Sequence, residues 1–276
     1  MDNKLILTIQ DISCVGQCSL TAALPIISAC GVETAILPSA VLSNHTGGFT
    51  SWTFRDLTDD MPLIREEWMK QNIKFDAFYT GYLGSAKQIA YVKDIFDSCG
   101  KDGALRIVDP AMADNGKLYA GFDEAFAKTM GELCSAADII LPLNITEACL
   151  VTGSEYQEEY GRQYILGLEK KLAAMGPKTV VLTGVSYAPD RTGVAVYENG
   201  IEHYYEHRRL SKNCHGTGDV FASAFTGAMM RGHSAYEAAK IAADFVVVCM
   251  ENTIDDADHW YGVKFEPMLP ELIKAL

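Results

Sequence analysis

The chain has 276 residues, 49% of them hydrophobic and 21% charged, with a formal net charge of −13. That length and apolar fraction can bury a large core. The acidic balance disfavours nonspecific nucleic-acid or anionic-membrane binding, although backbone amides and a metal can still hold phosphates locally. The first apolar run, residues 5–9, reaches Asp11 quickly and lacks a signal-peptide shape, and the run at 241–250 contains Asp244 and is too short to span a bilayer. A soluble cytoplasmic protein is the expectation. Eight scattered cysteines form no Cys-x-x-Cys pair, which points to reduced thiols rather than to a zinc module or a disulfide framework.

In chain order, strands are predicted at 5–9, 34–38, 75–80, 105–109, 138–141 and 179–183. Helices are predicted between them at 19–30, 63–71, 86–98, 122–134 and 157–175. The strands are nearly continuous apolar runs, as in a parallel sheet covered on both faces. The alternation predicts a doubly wound α/β layer structure. Residues 192–197 and 201–207 then flank Glu198-Asn199-Gly200, an Asn-Gly hairpin signal, and helices at 219–231 and 235–250 follow. With no repeat, low-complexity tract or Pro/Gly/Ser linker, the expectation is one domain over residues 1–276.

Ligands of open α/β sheets bind at the carboxyl ends of the strands. The polar residues there are Asp11, the run Asn44-His45-Thr46-Gly47-Gly48, Gly81-Tyr82, Asp109, Asn144 with Glu147, and Thr183-Gly184. Each has two readings. Cys214-His215-Gly216-Thr217-Gly218-Asp219 before an apolar helix is an anion site with a carboxylate beside it, suited to phosphoryl transfer to an alcohol, or a turn with an N-cap. Asn144 and Glu147 are a magnesium-side pair or a cap with an early glutamate. Asp109, before Pro110, is a site carboxylate or a turn residue. The loop at 43–48 reads the polar edge of a small ring or satisfies its own backbone. Tyr82, between glycines, is an aromatic wall or a packed loop residue.

Together, in this order and spacing, these segments resemble the ribokinase-like superfamily, and within it the pyridoxal (vitamin B6) kinases. The residues that carry the resemblance are Ser43-Asn44-His45-Thr46-Gly47, Thr80-Gly81-Tyr82-Leu83-Gly84-Ser85, Val108-Asp109-Pro110-Ala111-Met112, Ala137-Asp138-Ile139-Ile140 with Asn144-x-x-Glu147, and Gly216-Thr217-Gly218-Asp219. The resemblance covers essentially the whole chain. It implies a three-layer α/β/α sandwich with a mostly parallel sheet and ATP-dependent phosphorylation of the 5′-hydroxymethyl group of a B6 vitamer. Asp219 would be the base, and Gly216, Thr217 and Gly218 the anion hole. Asn144 and Glu147 would hold Mg²⁺ through water, with Asp109 and Asp114 near the metal and the triphosphate. Tyr119 would cover the nucleotide and Thr183 would face its phosphates. Thr46 and Tyr82 would contact the pyridine ring, in an acceptor site completed by Asp11, Ser13, His45, Gly47 and Cys214. The resemblance also implies a homodimer and leaves room for a monovalent cation. It implies no nucleic-acid or membrane partner.

The chain departs from the pattern in three places. Asp11, followed by Ser13, stands where pyridoxal kinases have a serine. Its carboxylate could pair with the ammonium of pyridoxamine, and Asp-x-Ser also occurs in the related hydroxymethylpyrimidine kinases, the alternative function. Pro142-Leu143 replaces the family's Thr-Pro before Asn144. Cys214-His215 replaces an apolar pair, and Cys214 is either a thiol that adds to the aldehyde of pyridoxal or a passive loop residue. A non-catalytic ligand-binding homologue is the further alternative.

Overall fold

A computed structural model describes residues 4–141 and 144–276. Its centre is a nine-stranded sheet in the order β11-β10-β9-β8-β5-β4-β1-β2-β3. The strands are β1 (Leu5–Ser13), β2 (Glu33–Leu42), β3 (Phe54–Asp56), β4 (Phe75–Thr80), β5 (Gly100–Val108), β8 (Ile139–Ile140), β9 (Thr179–Ala188), β10 (Arg191–Glu198) and β11 (Ile201–Arg208). The six from β2 to β9 in that order pair in parallel, and β3, β10 and β11 add antiparallel edges. The chain therefore has the mostly parallel α/β architecture that its apolar runs predict.

Helices cover both faces. Ile6 of β1 joins the core under α1 (Ser19–Ala29), α7 (Thr217–Arg231) and α8 (Ala235–Glu251). Leu7 and Ile9 join the opposite core, under α2 (Met61–Lys70), α3 (Ala86–Cys99), α4 (Glu124–Ser135), α5 (Ile145–Thr152) and α6 (Arg162–Ala173). Neighbouring residues of one strand thus enter different cores, the period-two geometry of a sheet buried on both sides. Each buried Leu, Ile or Phe side chain contributes about 1.5–3 kcal/mol. That packing makes the sheet a stiff base for the loops at its carboxyl edge.

The observed elements depart locally from the predicted ones. β2 continues past Pro38 to Leu42, but the β1–β2 register shifts after Gln10↔Pro38, where proline offers no N–H to the ladder. Asp11 falls at that irregularity. The helix predicted at 157–175 starts only at Arg162, with Gly161 as its cap, so Tyr156 and Tyr160 lie on a loop. β3 is exposed along its length, and a two-residue pair joins β6 (Ala113–Asp114) to β7 (Lys117–Leu118). Neither carries an apolar pattern that would have announced it. Among the described residues no helix is long and apolar enough to cross a membrane.

Candidate active site

Gly216 precedes α7 with φ +79°, and a Cβ at this position would run into the carbonyl oxygen of Gln17. Only glycine fits, because the left-handed turn and the contact both exclude a side chain. The first intrahelical bond runs from Val220 N–H to the Gly216 carbonyl at 3.0 Å. The N–H groups of Thr217 and Gly218 therefore stand at the open, positive end of a 15-residue helix. Asp219 sits in that first turn. Burial and then the neighbouring Asp11 push its carboxyl up to about 7, opposed by the N–H groups of Ser19 and of Asp219 itself. A carboxylate poised near neutral pH beside an anion-binding helix end is suited to general-base work.

These residues open into a cleft of about 490 Å³. One wall is polar and comes from His45, Asp114, Tyr119, Asn144 and Thr183 with the 213–219 loop. The other is an apolar slot of Val194, Phe221, Ala243, Val246, Val247 and Met250. A second arm of about 970 Å³ shares Asp114, Asn144, Thr183 and Cys214 with the first and extends past Tyr156 and Tyr160. The structure thus brings together ten predicted residues, namely His45, Asp114, Tyr119, Asn144, Thr183, Cys214, Gly216, Thr217, Gly218 and Asp219. Asp11, Ser13, Thr46, Gly47, Tyr82, Asp109 and Glu147 do not line this cleft.

Several of those seven lie directly behind its lining. Asp11 is 6% exposed and accepts a hydrogen bond from Ser13 Oγ at 3.2 Å. Burial raises its carboxyl, while Ser19 and Ser13 pull it back. Asp11 in turn helps burial to raise the Tyr82 hydroxyl. The loop at 43–48 meets the 214–216 loop where the His45 and His215 rings stand edge to face, 5.9 Å apart. Burial and then His215 lower the His45 imidazole, which favours its neutral form. A Cβ on Gly47 would crowd both rings, which is why the two loops can touch. Thr46 is exposed on the same loop. Burial pushes the half-buried Cys214 thiol up, against a small opposing effect of Lys212, so it rests as a thiol.

On the far side, Glu147 is 1% exposed, and its Oε1 accepts the N–H groups of Met112 at 3.0 Å and Ala113 at 3.4 Å. Glu147 Oε2 and Asp109 Oδ1 are buried without a hydrogen-bond partner. Burial holds both carboxyls well above the ordinary range, and Glu147 and then Asp219 add to the rise at Asp109. Asn144 caps α5, its oxygen accepting from Glu147 N–H at 3.0 Å, while its amide donates to the Ala113 carbonyl at 2.8 Å. The capping reading of Asn144 is therefore realised, and any metal contact from this side chain adds to it. Asp114 is exposed and turns back to the Asn115 N–H. Pro142-Leu143 lies outside the described residues.

Sequence reasoning did not find Ser19, whose N–H helps to lower the Asp219 carboxyl, or Tyr79, a fully buried tyrosine near Asp109 and Asp219. Nor did it find the apolar slot from α8. The alanine-rich first half of the run at 241–250 gave a signal for that slot, because small side chains let another surface approach.

The sequence profile of the phosphomethylpyrimidine kinase family matches residues 16–262. A hydroxymethylpyrimidine/phosphomethylpyrimidine kinase of Bacillus subtilis is 30% identical over 224 residues, covering 80% of this chain and 78% of that protein. The chain is 27% identical to the Arabidopsis thaliana chloroplastic thiamine biosynthetic bifunctional enzyme TH1 over 90% of its own length, and spans 48% of that enzyme. Among solved structures, a Bacteroides thetaiotaomicron protein assigned as a phosphomethylpyrimidine kinase, crystallised with pyridoxal, superposes with a TM-score of 0.92 at 36% identity, over 98% of this chain and 96% of that one. The pyridoxal kinase from Lactobacillus plantarum gives 0.91 at 31% identity, over 98% and 97%. With this fold and a glycine loop ending in a half-buried carboxylate, the chain belongs to the phosphomethylpyrimidine kinase family, within the ribokinase-like superfamily that includes the pyridoxal kinases. It is a kinase, and relatives of both substrate classes stand at similar distance.

Proposed function

We propose that this kinase transfers the γ-phosphoryl group of ATP to the 5′-hydroxymethyl group of a B6 vitamer. The observation that carries the proposal is Asp219, a carboxylate poised near neutral pH within the first turn of a helix whose N–H groups face the cleft. Asp219 takes the proton of the acceptor hydroxyl. The N–H groups of Thr217 and Gly218, freed for the cleft by left-handed Gly216, stabilise the charge on the migrating phosphoryl group. The apolar slot of Val194 and α8 suits a flat nucleobase. Tyr119 and Thr183 lie along the polar wall, where a triphosphate would run.

The unpartnered oxygens of Asp109 and Glu147 suit a hard cation, since they are buried acceptors with raised proton affinity. Among the described residues no set of three or more His, Cys, Asp or Glu is arranged to hold a metal directly. Mg²⁺ would therefore be held by Asp109 and Glu147 through water, with Asn144 alongside. Bound there, it would neutralise phosphate charge. ADP release with pyridoxal, pyridoxamine or pyridoxine as acceptor tests the proposal, run against Asp219→Asn. Wild-type turnover that survives the substitution would refute the role of the base, and no turnover in either protein would favour a ligand-binding homologue.

Asp11 supports a preference within this reading. Its buried carboxyl offers a partner to an acceptor ammonium, so pyridoxamine is used at least as well as pyridoxal. An unchanged ratio of the two kcat/KM values in Asp11→Ser would sink that preference. Asp11-x-Ser13 equally supports phosphorylation of hydroxymethylpyrimidine, the second reading, whose amino group could meet the same carboxyl. The resting thiol of Cys214 is not the thiolate that addition to an aldehyde requires, so no covalent step is included. A homodimer completes the proposal, and sedimentation at assay concentration tests it.

A further inference from the structure

The loop at 43–53 is fastened at both ends. Ser43 N–H donates to the Thr53 carbonyl at 3.2 Å, and Thr53 N–H donates back to Ser43 Oγ at 2.9 Å. The Asn44 amide donates to the His45 and Ser51 carbonyls at 3.1 and 3.0 Å. His45 N–H ties the loop to the Val15 carbonyl at 2.8 Å. This fixed loop forms a socket for the His215 ring. The His45 ring meets it edge to face, at an interplanar angle of 65°. A Cβ at Gly47 would stand 2.9 Å from His215 Nδ1, and one at Gly48 would stand 3.2 Å from Nε2. Glycine at both positions lets the main chain close on the ring. Trp260, packed on Phe49 at 4.7 Å, lies against Gly48 at the rim. The rest of the His215 ring is open to solvent.

His215 directly precedes Gly216, whose left-handed turn sets out the Thr217 and Gly218 N–H groups. Residues 211–213 before it are all exposed, so the socket holds the loop just where the anion hole begins. His45 and His215 line the same cleft as Asp219, and their contact therefore joins two walls of one site. We propose that His215 is a positioning residue for phosphoryl transfer, its ring docking the anion-hole loop into the socket of His45, Gly47 and Gly48. This role rests on phosphoryl transfer at residues 216–219 and holds for either acceptor class. It needs a flat ring and no proton transfer. Edge-to-face aromatic pairs shift an equilibrium by about 2–12-fold, which sets how far the docked loop is favoured. Misplacing a reacting group by about 1 Å costs on the order of 10²-fold in rate, so turnover follows the docked fraction.

The test compares His215→Ala, His215→Phe, His45→Ala and the His45→Ala/His215→Ala double variant with wild type. The acceptor is whichever of pyridoxal, pyridoxamine or hydroxymethylpyrimidine the wild type uses fastest. Each alanine variant is expected to lose about 3–10-fold in kcat, with the KM for ATP within about twofold of wild type. The double variant is expected to be no slower than the worse single one, because both remove the same contact. His215→Phe keeps a ring for the socket without the nitrogens, and its kcat is expected to stay within about twofold of wild type. His215→Ala is expected to melt within about 2 °C of wild type, since much of the ring is exposed. Wild-type kcat in His215→Ala would overturn the proposal. So would additive losses, a loss that follows a lowered melting temperature, or a phenylalanine variant as slow as the alanine one, which would give the work to a ring nitrogen. An inactive Asp219→Asn beside a fully active His215→Ala would overturn this role alone. A wild type that phosphorylates none of the three acceptors would refute the phosphoryl-transfer reading, and this role with it.

Discussion

Replacing Asp219 with asparagine keeps the shape of the side chain and removes its charge. Burial and Asp11 raise this carboxyl from 3.8 to about 7. Between those values the folded protein keeps a proton that the unfolded chain has released. Stability contributed by Asp219 is therefore present below about pH 4 and is lost as pH rises through about 7. The span corresponds to at most about 4 kcal/mol, at about 1.4 kcal/mol per pH unit. Asp219 retains some solvent contact in the cleft, which reduces the expected penalty to about 1–3 kcal/mol. Asparagine does not carry it. Asp219→Asn should thus melt about 2–10 °C above wild type at pH 8 and level with it near pH 4. Its turnover should fall by about 10²–10⁴-fold, the usual scale for losing a positioned base. Wild-type kcat/KM should decline on the acid side with a midpoint near the same pH of about 7. Scanning calorimetry at the two pH values, paired with ADP-release kinetics, reads both effects on one protein. A variant less stable than wild type at pH 8, or one that keeps its activity, would refute the reasoning.

Gly216→Ala forces a Cβ into the Gln17 carbonyl at φ +79°, and should lower turnover by about 10²–10³-fold together with the melting temperature; full activity would mean that the loop relaxes freely. Glu147→Gln preserves an acceptor for Met112 N–H but removes the charge, and should raise the Mg²⁺ concentration for half-maximal rate about tenfold. An unchanged Mg²⁺ titration would remove Glu147 from the metal side. Glu169 of α6 is fully buried with both oxygens unpartnered, and burial followed by Glu202 pushes it up to about 8. Its unfavourable ionisation takes hold as pH rises through that value, so Glu169→Gln should gain about 2–6 °C over wild type at pH 9 and almost nothing at pH 5. Its kinetics should stay at wild-type values. Equal melting-temperature differences at the two pH values would contradict the sign of the linkage.

Much of this fold was legible because its strands are buried on both faces. Runs such as residues 75–80 and 179–183 show no alternation, and that by itself implies a parallel sheet beneath two helical layers. The Asn199-Gly200 turn and the helix after Asp219 were equally direct. Elements that bury little were not legible. Phe54, Arg55 and Asp56 are all exposed, so β3 has no pattern to read. The candidate site divides along the same line. Chain order alone places its loops at one sheet edge, because strand ends, glycines and polar residues coincide there. Depth is invisible to that logic. Asp11, Asp109 and Glu147 read as cleft residues, and tertiary packing sets them behind the cleft wall, where burial alters their proton affinity. Ser19 could not have been found by residue type, since serine is ordinary near a helix start and only φ marks it.

The acceptor decides between the two substrate classes that this family joins. The most direct measurement is kcat/KM for pyridoxal, pyridoxamine and hydroxymethylpyrimidine, taken in parallel by ADP release at saturating ATP and confirmed by the mass of each phosphorylated product. The proposed function predicts that a B6 vitamer gives the highest value, with pyridoxamine at or above pyridoxal. A higher value for hydroxymethylpyrimidine than for every B6 vitamer would contradict it.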